Sequence, residues 1–133
     1  MDQVKLYAET EINPTESKVR VKTAICNVFG DVSIAVKTER KISVITIEAS
    51  GQDSLARFRN LLRTDRIRDA ARKTLFHSIR GNTVSFCLNK QVAYAGHISF
   101  SEETAESPLG PIRVTITSDN PRLLIQWLAE KTA

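Results

Sequence analysis

The sequence predicts an α+β fold, a mainly antiparallel sheet of about five strands with helices packed on one face. Three observations lead there. Short segments in which apolar and polar residues alternate recur along the chain, the period of strands buried on one side. Turn-length connections join several of them, as in hairpins. Two helix starts share one device, Asn13-Pro14 and Asn120-Pro121, an amide-capping residue followed by a proline that suits the first helical turn. The resulting order is β-α-β-β-α-α-β-turn-β-β-α.

Val4, Leu6, Ala8 and Ile12 alternate with Lys5, Tyr7, Glu9 and Glu11 in the first strand. Asn13 is expected to cap the first helix, with Glu16 at the capping-box position, Val21, Ile25, Val28 and Phe29 as its apolar stripe and Gly30 as its stop. Val32, Ile34 and Val36 form a second strand, and the Thr38–Lys41 turn returns the chain into the third. There Ile45 and Ile47 face one way and Ile42 and Val44 the other, as in a central strand covered on both sides over part of its length.

After the break at Gly51–Asp53, Leu55, Phe58, Leu61 and Leu62 share one helical face. Thr64 is placed to cap a further helix, with Ile67, Ala70, Ala71, Thr74, Leu75 and Ser78 turned inward and Gly81 at its end. Thr83, Ser85 and Cys87 then alternate with Val84, Phe86 and Leu88, Asn89 caps a short turn closed by Gly96, and His97–Phe100 extends again. An acidic loop (Glu102, Glu103, Glu106) stiffened by prolines leads to a last strand, in which Ile112, Val114 and Ile116 alternate with Arg113, Thr115 and Thr117. The final helix is apolar over a wide arc, Leu123, Leu124, Ile125, Trp127 and Leu128, which implies deep insertion or a partner.

One domain over residues 1–133 suffices, and 41% hydrophobic with 26% charged residues is the balance of a folded chain, not a disordered one. The longest apolar run falls well short of the roughly 20 residues that span a bilayer. The start lacks the pattern of a secretion signal, so a cytoplasmic location and no membrane partner are expected. Cys26 and Cys87 are too few for a disulfide framework, and with His77 and His97 they form no zinc-ligand spacing. Glycine-rich phosphate loops, GxSxG and HExxH are missing, so the sequence indicates no cofactor and no small-molecule substrate.

The net charge of +4 is unevenly spread. From Arg57 to Arg80 there are eight basic residues against Asp65 and Asp69, a local +6, which leaves −2 on the rest. Arg66, Lys73 and Arg80 recur every seven residues, as an outward stripe of a helix with His77 beside it. Such a stripe suits RNA phosphates, and Arg66, Lys73, Arg80 and Lys90 are the candidate contacts. Pairing of the arginines with Asp65 and Asp69, and solvation, would explain the same letters. Of the aromatic residues, only Tyr7 falls on the open sheet face, so the stacking platform of an RRM is missing.

Two other classes compete. Lys90, Tyr94 and His97 lie close in sequence and would mark an enzyme site if one pocket held them. A non-catalytic interaction module, a homodimer joined through Trp127 and Leu128, fits the over-apolar last helix and is the first reading, with RNA binding and then an enzyme as the alternatives.

DAARKTL at Asp69–Leu75, SFCLNKQVAYAGHISF at Ser85–Phe100 and ESPLGPI at Glu106–Ile112 resemble the archaeal uncharacterised protein family 0201. The resemblance covers essentially the whole chain. It implies an antiparallel sheet with about five strands and five helices, similar to the 5S-rRNA-binding ribosomal protein of the large subunit and more distantly to RRM-type domains. It also implies dimers, and it carries no assigned activity, cofactor or catalytic residue. RNA enters through fold likeness, which does not fix function.

Overall fold

Alternating apolar residues give each strand one apolar side, and the strands pair antiparallel into one sheet with those sides on a single face. The structure, a computed structural model, describes residues 3–40, 42–101 and 110–131. Its strands are β1 (Val4–Ile12), β2 (Ile34–Glu39), β3 (Ile42–Ser50), β4 (Ile79–Arg80), β5 (Thr83–Asn89), β6 (Phe100–Ser101) and β7 (Pro111–Ser118). They lie in the order β2-β3-β1-β7-β5-β4, with β6 also paired to β5. The five long strands are those expected; β4 adds two residues, and of the strand expected at His97–Phe100 only Phe100 is in one, with Ser101 as β6.

Against one face pack α1 (Lys18–Phe29), α2 (Ala56–Thr64), α3 (Arg68–His77), α4 (Lys90–Tyr94) and α5 (Pro121–Leu128). The register sets Leu6 beside Ile116 and Ala8 beside Val114 and Ile47, so the inward side chains meet in one layer. They share a single core with Val21, Ile25 and Val28 of α1, Phe58 and Leu62 of α2, Leu75 of α3 and Leu124, Ile125 and Leu128 of α5. A row of rings, Phe29–Phe58–Phe86–Phe100, crosses it with centroids 6.2, 5.6 and 5.6 Å apart. No helix among the described residues is long and apolar enough to cross a membrane.

Several local expectations change. Helix α1 starts at Lys18, capped by the Ser17 hydroxyl, which accepts from Arg20 N at 3.3 Å. Asn13 instead closes a separate turn: Glu16 N donates to Asn13 O at 2.9 Å, and Glu16 Oε1 accepts from Asn13 N at 3.0 Å. The reciprocal bond of a capping box is there, spent before the helix begins. Thr64 ends α2 and caps nothing. Ala70 and Thr74 are exposed, so α3 contacts the core through Ala71 and Leu75.

Helix α3 stops at His77, and Ile79-Arg80 turns back on Val84 and Thr83 as a hairpin, with Gly81 at φ 61. A hairpin turn there needs a residue that enters left-handed backbone freely, which is why glycine sits at this point. The supposed helical stripe therefore breaks: Arg66 lies in the α2–α3 turn, Lys73 on α3 and Arg80 on β4. Strand β3 is covered on one side only, and Ile42 is 43% exposed. The apolar final helix is explained by insertion, since Leu124, Ile125 and Leu128 are buried. The acidic residues Glu102, Glu103 and Glu106 lie outside the described residues.

Asn89 caps α4 as expected, its side chain accepting from Val92 N at 2.9 Å. Replacing Asn89 with Ala should cost about 1 kcal/mol of stability. Urea unfolding checks this; an unshifted midpoint would mean that water satisfies the amide equally well.

Candidate nucleic-acid interface

The basic segment folds into α2, a three-residue turn and α3, and the structure divides its cations into two groups. In the first, Arg59 Nε donates to Trp127 O at 2.8 Å and Arg72 Nη1 to Ala129 O at 3.2 Å. These carbonyls end α5, where helices leave acceptors unpaired and cations are favoured. Arg59 also bonds Glu130, and Arg57 Nε donates to Asn27 O at 2.8 Å. The Glu130 carboxyl is held below its usual range by the hydrogen bond from Arg59 and by that residue's charge, with smaller contributions from Arg63 and Arg68.

Two aromatic side chains sit within this surface, both covered. The Arg59 guanidinium lies 5.1 Å from the Trp127 ring centre, and Arg72 and Arg122 lie 5.0 and 5.1 Å from that of Phe76. These cation–π contacts stiffen the junction of α2, α3 and α5. They also occupy faces on which a base would stack.

The second group is Arg63, Arg66, Arg68 and Lys73. None of these makes a hydrogen bond or ion pair among the described residues, and all but half-buried Arg68 are exposed. Asp65, expected to neutralise this face, is turned away: its Oδ1 lies 2.9 Å from His97 Nδ1 and its Oδ2 accepts from Ile98 N at 2.8 Å. The carboxylates that remain near the α2–α3 turn are Asp69, which shares a recess with Arg63, Arg66 and Arg68, and Glu130, fewer than the cations there.

The other expected contacts fare differently. Arg80 is exposed, but its Nη1 donates to His77 O and Ile79 O at 3.2 and 2.8 Å. Lys90 is 3% exposed, and its ammonium donates to Glu11 O at 2.7 Å and Glu16 Oε1 at 2.9 Å. Buried and paired, it is a structural cation; a phosphate would have to displace Glu16. Burial by itself would raise the Glu16 carboxyl. Hydrogen bonds from the Asn13 amide, Lys90 and the Asn13 side chain, together with the Lys90 charge, outweigh it and hold the pKa below its usual value.

The enzyme reading loses its geometry here. Lys90 and Tyr94 line a cavity of about 320 Å³ between α1 and α4, with Arg20 5.7 Å from the Tyr94 ring centre. His97 is directed instead to Asp65 at the α2–α3 turn. The dimer residues also part: Leu128 is 1% exposed in the core, and Trp127 lies under Arg59.

The open sheet face mixes charges, with Glu9 opposite Arg113 in register. Tyr7 is 36% exposed there and donates to Glu9 Oε2 at 3.2 Å, and Glu48 lies beside it in register. The Tyr7 hydroxyl is pushed up by burial first, then by Glu9 and Glu48. Carboxylates repel a phosphate backbone where Arg63 and Arg66 would attract it.

Sequence reasoning missed Arg63 and Arg68 as a pair, because it began the second helix at a Thr64 cap and so counted residues 65–67 as helical, where the structure has the turn. It also missed Glu16 as the partner of Lys90, which no local spacing reveals across 74 residues.

A family model described as RNA binding matches residues 5–118. A UPF0201 protein of Sulfurisphaera tokodaii is 42% identical over 129 residues, which cover 97% of this chain and 89% of that protein. One from Saccharolobus solfataricus is 40% identical over 130 residues, 98% of this chain and 90% of that protein. The crystal structure of a UPF0201 protein from Methanococcus jannaschii superposes with a TM-score of 0.83 at 29% identity, covering 94% of this chain and 98% of that one.

Proposed function

The chain belongs to the archaeal UPF0201 family, and from that premise we propose that it is a non-catalytic, cytoplasmic RNA-binding protein whose contact surface is the α2–α3 turn. The observation that carries this reading is the set of cations, Arg63, Arg66, Arg68 and Lys73, which make no hydrogen bond or ion pair among the described residues, while Asp65 is committed elsewhere. The family description, RNA binding, agrees with it. With the Trp127 and Phe76 rings under arginines, the surface suits phosphates better than unstacked bases.

Phosphate binding of this kind releases counterions. Four contacts predict that log K falls against log salt with a slope of about −3 to −4. Fluorescence-anisotropy titration of a structured RNA at several salt concentrations measures it. No binding at low salt would remove the reading, and a slope near zero would remove the phosphate contacts.

Self-association through α5 is left with little apolar surface. Leu123, 44% exposed, is the one large apolar side chain of that helix in the open. A stable interface of about 800 Å² per partner needs more than this.

A further inference from the structure

The α2–α3 turn is more than a convex basic patch. Helix α2 ends at Thr64 and α3 begins at Arg68, so the chain reverses within three residues. Backbone bonds hold the reversal: Asp65 N to Leu61 O at 2.8 Å, Arg66 N to Arg63 O at 3.1 Å and Ile67 N to Leu62 O at 3.2 Å. Arg66 is held at φ 58, a left-handed conformation that costs a side-chain-bearing residue free energy. The reversal brings Arg68 back towards Arg63, and Arg63, Arg66, Arg68 and Asp69 line one recess of about 390 Å³.

We propose, resting on the RNA reading above, that this recess is a subsite for a terminal phosphomonoester of the bound RNA. Three guanidinium groups against one carboxylate leave the recess with a charge of about +2. A backbone phosphodiester carries one negative charge, whereas a phosphomonoester carries about −1.5 to −2 at neutral pH, with three acceptor oxygens. Arginine forks match those oxygens two at a time, which lysine does not do. Other carboxylates near the turn are occupied, Asp65 by His97 and Ile98 N, and Glu130 by Arg59. The first turn of α3 adds to the same field, because its capping residue, Ile67, has no side-chain acceptor for the amides.

The phosphate has two sources on an RNA, the 5′ end and the 3′ end, and the test separates them. Anisotropy titrations of the full chain would use one labelled sequence with a 5′-phosphate, with a 3′-phosphate, and with hydroxyls at both ends. At least one phosphorylated form is expected to bind about tenfold tighter than the hydroxyl form. The end that shows the gain identifies the source, and a gain at both ends marks a subsite indifferent to polarity. The gain, taken as a ratio within each protein, should fall below about threefold in Arg68→Lys, which keeps the charge and loses the fork, and in Arg66→Gly, which keeps the left-handed backbone.

Equal affinity for all three ends overturns the subsite and leaves the RNA reading standing. A gain that survives both substitutions places the phosphate elsewhere and also overturns it. If none of the RNAs binds at low salt, both readings fall together.

Discussion

Replacing Lys90 with Met should destabilise the protein by about 3–5 kcal/mol at neutral pH. The side chains of Lys90 and Glu16 are 4% and 9% exposed, so the substitution leaves a carboxylate shielded from water without its cation. It also removes the donor to Glu11 O, at the end of β1. Methionine keeps most of the volume, so lost packing is a minor part of the effect. An ordinary domain holds about 5–15 kcal/mol in total, which makes this loss a large fraction.

Substituting Gln at Glu16 as well removes the stranded charge, and much of the lost stability should return. The effect also depends on pH. Because the folded-state pKa of Glu16 is depressed, its contribution is fully present above the ordinary value of 4.5 and is lost as pH falls through the folded value. The gap between wild type and Lys90→Met should therefore narrow in acid. Urea unfolding at pH 7 and pH 3.5 measures both. A loss under about 1 kcal/mol at pH 7 would show that the pair is weakly coupled to folding.

Reversing Arg66 and Lys73 to Glu should lower RNA affinity on the order of a hundredfold at low salt and flatten the salt slope by about 2 units. Both side chains are exposed and neither makes a hydrogen bond or ion pair among the described residues, so the fold has no contact to lose. Arg59→Glu is a contrasting case. It breaks the bond to Trp127 O and the cover over the Trp127 ring, so stability should fall along with charge. Unchanged affinity in the Arg66 and Lys73 double variant, with unfolding as in wild type, would remove the α2–α3 turn as the contact surface.

The long strands were legible because a period of two is visible in letters. Val84, Phe86 and Leu88 against Thr83, Ser85 and Cys87 needs no tertiary information, and the structure buries the first set. Caps that use the next few residues were legible for the same reason, Asn89 to Val92 and Asn120 to Leu123. The error at Asn13 has a local cause: one signal, an acceptor with Glu16 three residues on, serves an isolated turn as well as a helix. The break between the two helices was legible at Thr64, but the left-handed backbone at Arg66 left no such mark, because arginine is an ordinary helix residue.

The sequence alone determined the fold class, the strand faces and the concentration of positive charge between Arg57 and Arg80, since each depends on spacing or composition within a short window. Tertiary structure decided which of those cations stay available. Arg59 and Arg72 are drawn to the α5 carbonyls, Lys90 to Glu16, and Asp65 away to His97. Those partners lie 68, 57, 74 and 32 residues away along the chain. A hydrogen bond forms where folding brings a donor and an acceptor within reach, and no pattern of neighbouring letters encodes that distance.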